Sequence, residues 1–162
     1  MTGYDLKACF DTSVANFWPA DQSQIYRTLD KLADEGYIES RLEIQTDRPN
    51  RKVYSITESG RNELHRWLKT EMPPPTLREP FLVQLFFGSQ LSRPELIELL
   101  EAQRRFHQEK LDRYEADYIP VEKEDMAFDG ILRGMTLQLG IRHERNYVEW
   151  IDWCLVKLLK LP

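Results

Sequence analysis

The stretch QSQIYRTLDKLADEGYIE (residues 22–39) decides the fold of this chain. Ile25 and Leu29 are spaced so that both lie on one face of a helix. An aspartate at a typical N-cap position comes directly before the stretch, and Gly36 lies where a helix C-cap is expected. These signals predict an amphipathic helix over residues 21–35 that leads directly into a strand.

Two segments of alternating apolar and polar residues follow, at 37–44 and 51–57, with the turn-forming residues QTDRPN between them. They predict a β-hairpin. A shorter helix is predicted upstream over residues 2–12, and Thr57 is placed to cap another helix after the hairpin. The order helix, helix, strand, strand is that of a winged helix-turn-helix domain. In such a domain the second helix enters the DNA major groove and the hairpin lies along the backbone.

The candidate DNA contacts lie on the polar face of this helix and on the hairpin. Amide, hydroxyl and guanidinium groups are those that read base edges or bind phosphate. A net charge of −5 argues against a protein that coats nucleic acid over its whole surface, but a few cations suffice at a hairpin tip. A charged turn or a polar helix face is common by itself, and their occurrence together favours DNA binding. The candidates are Gln22, Ser23, Tyr26, Arg27 and Lys31 on the helix, and Arg41, Arg48, Arg51 and Lys52 on the hairpin.

A proline-rich stretch divides the chain into two parts. MPPPT (72–76) marks the boundary, because three consecutive prolines cannot continue a helix. The part after it has only helical patterns. We therefore expect a mainly α protein with a small β-hairpin (α+β), with a winged helix-turn-helix domain over 1–70 and an all-helical dimerisation domain over 71–162.

Two long helices are predicted in the second domain, one that begins at Ser92 and one that runs to the C-terminus. Their apolar stripes are too long to be covered by the small first domain, which favours a two-fold homodimer. An antiparallel pair of helices within one chain, without a partner, is the alternative. The predicted dimer contacts are Leu96, Leu100, Leu111, Tyr114, Trp150 and Leu158.

Three motifs resemble the PadR family of bacterial transcriptional regulators: TGYDLKACFD, QSQIYRTLDKLADEGYIE and DRPNRKVYSITESGRNEL. The resemblance places Tyr26 and Arg27 on the recognition helix of the family, and Arg51 and Lys52 on its wing. The C-terminal half resembles the longer PadR subfamily, which carries a multi-helix dimerisation domain. The resemblance thus implies a homodimeric repressor that binds double-stranded DNA in a sequence-specific manner.

The beginning of the chain departs from the family pattern. Family members usually carry a further amphipathic helix before the Gly-Tyr motif, whereas here the motif begins at Gly3. An alternative is therefore a dimeric ligand- or partner-binding protein that has lost DNA competence with its first helix.

An aromatic cluster near the C-terminus invites a ligand interpretation. Some members of the family sense phenolic acids or flat drugs in an aromatic cleft, so the resemblance implies a small aromatic effector. Tyr147, Trp150 and Trp153 are the candidate ligand contacts, since aromatic rings stack well on flat molecules. Ordinary core packing of these rings is the alternative.

Other classes of function are not expected. The sequence has no P-loop, dinucleotide fingerprint or nucleophile elbow, so we do not expect an enzyme. The three histidines and two cysteines are scattered, so no metal or cofactor is expected. Isolated cysteines, the lack of an apolar leader and the lack of any run of about 20 apolar residues predict a cytoplasmic protein rather than a membrane protein.

Overall fold

A computed structural model of the chain describes residues 1–15, 17–44, 50–118 and 127–160. The chain divides into two compact units, Met1–Pro75 and Thr76–Pro162. The division thus follows the three prolines, a few residues after the domain end expected at residue 70.

The first unit contains three helices and a two-stranded antiparallel sheet. They are α1 (Gly3–Thr12), α2 (Gln22–Asp34), β1 (Ile38–Glu43), β2 (Arg51–Ile56) and α3 (Glu58–Leu68). The order is the one predicted from the sequence. The helix predicted over 21–35 differs from α2 by a single residue at each end.

Capping fixes the two ends of α2. The backbone N–H of Gln24 donates to the Asp21 carboxylate, and the backbone N–H of Asp21 donates to the Gln24 side chain, which satisfies two N-terminal donors. Gly36 follows the helix with φ of +73°, a left-handed conformation that glycine adopts without strain. Between these ends, Ile25 and Leu29 are buried. The core of the unit is formed by Ile25, Leu29 and Tyr54, with Leu6, Phe10, Ala20 and Ile38 packed against it.

The hairpin pairs Ile38 with Ile56 at its base and Glu43 with Arg51 towards its tip. The start of the chain joins the same sheet, because the backbone N–H of Tyr54 donates to the carbonyl of Met1 over 2.8 Å. The alternation of β1 predicts that its apolar residues face the core, but they do so only at the base of the hairpin. Leu42 is 61% exposed, since that part of the hairpin extends beyond the core of the unit.

The regular structure of the second unit is helical in its described residues. It contains α4 (Pro80–Phe86), a short 3-10 helix (Gly88–Gln90), α5 (Arg93–Asp117) and α6 (Phe128–Leu159). The N-terminus of α5 is capped by Ser92 together with Glu95. Helices α5 and α6 are antiparallel: Leu100 packs near Ile151, and further along α5 Tyr114 packs near Ile141.

Three of the predicted dimer contacts are buried within the chain itself. Leu100 has no exposed surface, and Leu111 and Tyr114 keep only 6% and 3%. All three pack against α6 of the same chain, so this stripe is covered by the antiparallel helix pair that was the alternative. The remaining residues of that set, Leu96, Trp150 and Leu158, keep partial exposure and stay predictions.

Candidate nucleic-acid interface

The outward face of α2 carries the polar side chains that the sequence singled out. Because Ile25 and Leu29 face the core, the polar positions around the rest of the helix are open to solvent. Every one of the five helix candidates is exposed. They are Gln22, Ser23, Tyr26, Arg27 and Lys31.

Tyr26 is 38% exposed. Its ring lies against the start of α1, so closely that a Cβ atom on Gly3 would come within 2.5 Å of the ring. Tyr26 therefore holds α1 against α2 as well as presenting part of its ring to solvent. Apart from the glycine itself, no feature of the sequence predicts this contact.

Arg27 and Lys31 provide the cations of the helix. Within the described residues no carboxylate lies within ion-pair distance of Arg27, whereas Lys31 Nζ lies 3.8 Å from Glu35 Oε1 on the next turn. An unpaired guanidinium on an exposed helix face is available to a phosphate or to a guanine edge. Of the two cations on α2, Arg27 is therefore the one whose donors, within the described part of the chain, are free to bind an anionic ligand.

The wing cations lie on two faces of the hairpin. Arg41 and Arg51 flank Glu43 on the outward face, with N–O distances of 2.9 Å and 2.7 Å respectively. Lys52 lies on the other face, 3.6 Å from Asp30 of α2 and above the ring of Tyr54. Arg48, the fourth candidate on the hairpin, lies outside the described residues.

Glu43 is the residue of this site that the sequence prediction missed. The hydrogen bonds from Arg51 and Arg41 hold the pKa of its carboxyl group below its ordinary value, so it is ionised at neutral pH. A signal for this was present, since residues 41 and 43 share a face of a strand and position 51 lies across a short hairpin. The hairpin thus presents guanidinium groups that already have a carboxylate partner.

The aromatic candidates lie in the second unit, and the structure brings two of the three together. The Tyr147 and Trp150 rings meet edge to face with centroids 5.4 Å apart, beside Phe81. Trp153 is 58% exposed and does not join this core cluster. Burial raises the pKa of Tyr147, and its buried hydroxyl has no hydrogen-bond partner in the described part of the chain.

The described ranges were also compared with the requirements of a membrane span and of a metal site, and they meet neither. No helix there is both long and apolar enough to cross a membrane. No group of three or more histidine, cysteine, aspartate or glutamate side chains there is arranged to hold a metal ion.

Comparison with known proteins assigns a family to each part of the chain. Residues 1–66 match the family described as "Transcriptional regulator PadR-like family". Residues 77–158 match the family described as "Virulence activator alpha C-term". The two matches correspond to the two units of the structure.

The relatives are similar over nearly their whole length. The negative transcriptional regulator PadR of Bacillus subtilis is 36% identical over 165 residues, which cover 99% of this chain and 91% of that protein. The crystal structure of Bacillus subtilis PadR in complex with operator DNA aligns with a TM-score of 0.87 and 34% identity, covering 97% of this chain and 90% of that one. The complex of the same protein with p-coumaric acid aligns with a TM-score of 0.82 and 32% identity, covering 99% and 91%. With these similarities, the chain belongs to the PadR-like family of transcriptional regulators.

Proposed function

We propose that this protein is a sequence-specific DNA-binding repressor of transcription that acts as a homodimer in the cytoplasm. The observation that carries the proposal is the exposed polar face of α2 beside a hairpin that bears cations on both faces. The relative that aligns with a TM-score of 0.87 was crystallised in complex with operator DNA, which supports the proposal.

In the proposed complex, α2 lies in the major groove and the wing contacts the flanking backbone. Arg27 reads a base edge or clamps a phosphate, helped by the amide and hydroxyl groups of Gln22 and Ser23. Arg41, Arg51 and Lys52 supply phosphate contacts, which give affinity and register rather than sequence information. The alternative, a binding protein that does not bind DNA, does not explain why these polar and cationic side chains are exposed together.

The dimer interface is proposed to use apolar surface that the second unit leaves uncovered. On α6, Leu132, Met135 and Leu139 follow one another at helical spacing and are 47%, 57% and 70% exposed. On α4, Phe86 is 81% exposed. Exposed stripes of this kind mark interaction surfaces, and a second copy of the chain covers them symmetrically.

A small aromatic acid is the proposed effector. The relative crystallised with p-coumaric acid supports this class of molecule. In this chain, Tyr147 and Trp150 are the candidate contacts, because a buried hydroxyl without a partner is satisfied by a ligand that can hydrogen-bond to it. Binding would favour a dimer geometry that no longer fits both DNA half-sites.

Hydroxyl-radical footprinting of the purified protein on the region upstream of its own gene tests the proposal. A two-fold dimer should protect two patches whose centres are about one helical turn, or roughly 10 base pairs, apart or a multiple of it. A single protected patch would contradict the dimeric arrangement. Uniform protection of the whole fragment would contradict sequence specificity.

A further inference from the structure

The outward face of the wing carries a carboxylate between two arginines. Arg41 and Glu43 are two residues apart on β1, so their side chains lie on the same face. Arg51 lies directly opposite Glu43 in the strand register. Arg41 Nη2 donates to Glu43 Oε1 and Arg51 Nε donates to Glu43 Oε2, so each carboxylate oxygen holds one guanidinium group.

The exposures of the three side chains show how they are layered. The side chains of Arg41 and Arg51 are 79% and 53% exposed, whereas that of Glu43 is 28% exposed. The arginines thus lie outside and the carboxylate lies beneath them. An approaching phosphate meets the guanidinium groups first, while their inner N–H donors are already in use.

We propose that Glu43 is an internal competitor of the DNA phosphates, which holds Arg41 and Arg51 in the free protein and must give them up when the wing contacts DNA. This inference rests on the proposed function, since it concerns the affinity of the wing for a phosphate backbone. Carboxylate and phosphate oxygens take the same guanidinium donors. An exposed ion pair is weak enough to be exchanged, but its loss reduces the affinity for any DNA sequence.

The exchange has a second consequence for binding. After it, the released carboxylate lies close to the phosphates that displaced it and repels them. It either recruits a cation from solution or remains unpaired, and a recruited cation offsets part of the counterion release that drives binding. Glu43 should therefore reduce both the affinity of the wing and the steepness of its salt dependence.

Glu39 offers a matched control for Glu43. It lies on the same strand and the same face, opposite Ser55, and it is exposed. No cation lies within ion-pair distance of it in the described part of the chain. Glu43→Gln and Glu39→Gln remove the same charge from the same face of the same strand, and only Glu43 contacts the two arginines.

The experiment measures binding to a labelled duplex of shuffled sequence by fluorescence anisotropy over a range of salt concentrations. A shuffled duplex reports phosphate contacts and excludes base reading. For the full chain we expect Glu43→Gln to bind on the order of threefold to tenfold tighter than wild type, with a steeper log–log salt slope. Glu39→Gln should change the dissociation constant by less than about twofold, as expected for an exposed charge without a partner.

A double-mutant cycle then tests the mechanism. In a background with Arg41→Ala and Arg51→Ala, the Glu43→Gln change should have no more effect than Glu39→Gln, because nothing is left to compete for. If Glu43→Gln equals Glu39→Gln in the wild-type background, or weakens binding, the competitor role is overturned while the proposed function stands. A wild-type protein that binds no duplex at low salt would overturn both.

Discussion

Nδ1 of His107 on α5 lies 2.6 Å from Oε2 of Glu144 on α6, inside the interface between the two long helices. The other oxygen of the same carboxylate lies 2.6 Å from Nζ of Lys110. Glu144 is 1% exposed, so this carboxylate is buried and depends on these two partners. The contacts fix the register of α5 against α6, and the stability of the second unit therefore depends on this one carboxylate.

Replacing Glu144 by Gln should destabilise the second unit by about 3 kcal/mol, because the change leaves the Lys110 ammonium without its counter-charge and removes the carboxylate that His107 Nδ1 contacts. The value lies at the lower end for a broken buried pair, since Lys110 keeps partial access to water. Urea denaturation followed by circular dichroism measures it. Glu149→Gln, an exposed glutamate on the same helix, is the control and should change stability by less than about 0.5 kcal/mol. Equal effects of the two variants would contradict the role assigned to the buried carboxylate.

Because of the Glu144 carboxylate, we also expect the second unit to lose stability in acid. Burial opposes ionisation of Glu144, but the hydrogen bonds from Lys110 and His107 outweigh it and hold the pKa of the carboxyl group below its ordinary value of 4.5. A carboxyl group whose pKa is lowered by folding stabilises the protein above the unfolded pKa, and this contribution is lost as the pH falls through the folded pKa. The difference in unfolding free energy between wild type and Glu144→Gln should therefore shrink as the pH falls below 4.5. A difference that stays constant down to about pH 3 would contradict the shift.

Arg27→Ala should reduce sequence discrimination. A base-reading side chain contributes about 1–3 kcal/mol of preference for the native site, so the affinity for the operator should fall while the affinity for shuffled DNA changes much less. The measurement is the ratio of the two dissociation constants. Arg61→Ala, on the exposed part of α3, serves as a matched control and should keep the wild-type ratio. If Arg27→Ala also keeps that ratio, α2 does not read bases through this residue.

The double variant Arg51→Ala, Lys52→Ala should weaken binding to all DNA sequences by a similar factor. Each lost phosphate contact should flatten the log–log salt slope by about 0.9, because fewer counterions are released. Titrations of one duplex at several salt concentrations measure this slope. A slope equal to that of wild type would show that the wing does not contact the backbone through these two cations.

Leu139→Asp should turn the proposed dimer into a monomer. The side chain is 70% exposed, so the isolated chain tolerates the charge, whereas a packed interface with a second copy does not. Sedimentation equilibrium measures the mass. Trp67→Asp, at a 53% exposed apolar residue of the first unit, is the control and should leave the mass unchanged. If the dimer survives Leu139→Asp but dissociates with Trp67→Asp, the interface lies on the first unit and the proposed interface on α6 is wrong.

The sequence predicted the first unit well because its signals are local. The cap of α2, its apolar spacing and Gly36 act within a few residues of one another, and each appears where it was expected. The hairpin followed from alternation and turn chemistry in the same way. Local signals of this kind act before any tertiary contact forms, so a single sequence reveals them.

The sequence could not determine which of several suitable segments or side chains a given residue contacts. The stripe through Leu100 and Tyr114 is satisfied equally by a helix of the same chain or of another, and periodicity does not distinguish the two. The structure places α6 of the same chain on it. The spacing of residues 41 and 43 along one strand was a signal for the pairing of Glu43 with Arg41, but the pairing with Arg51 also depends on the register of the hairpin, which the composition of its turn does not determine.

The proposed function requires that this chain binds DNA in a sequence-specific manner through its first unit. The most direct test is the dissociation constant of the wild-type protein for a duplex from its own upstream region, compared with a shuffled duplex at the same salt concentration. We expect a preference of about 10³ or more for the native duplex, as is typical of specific DNA-binding proteins. Equal dissociation constants for the two duplexes would contradict it.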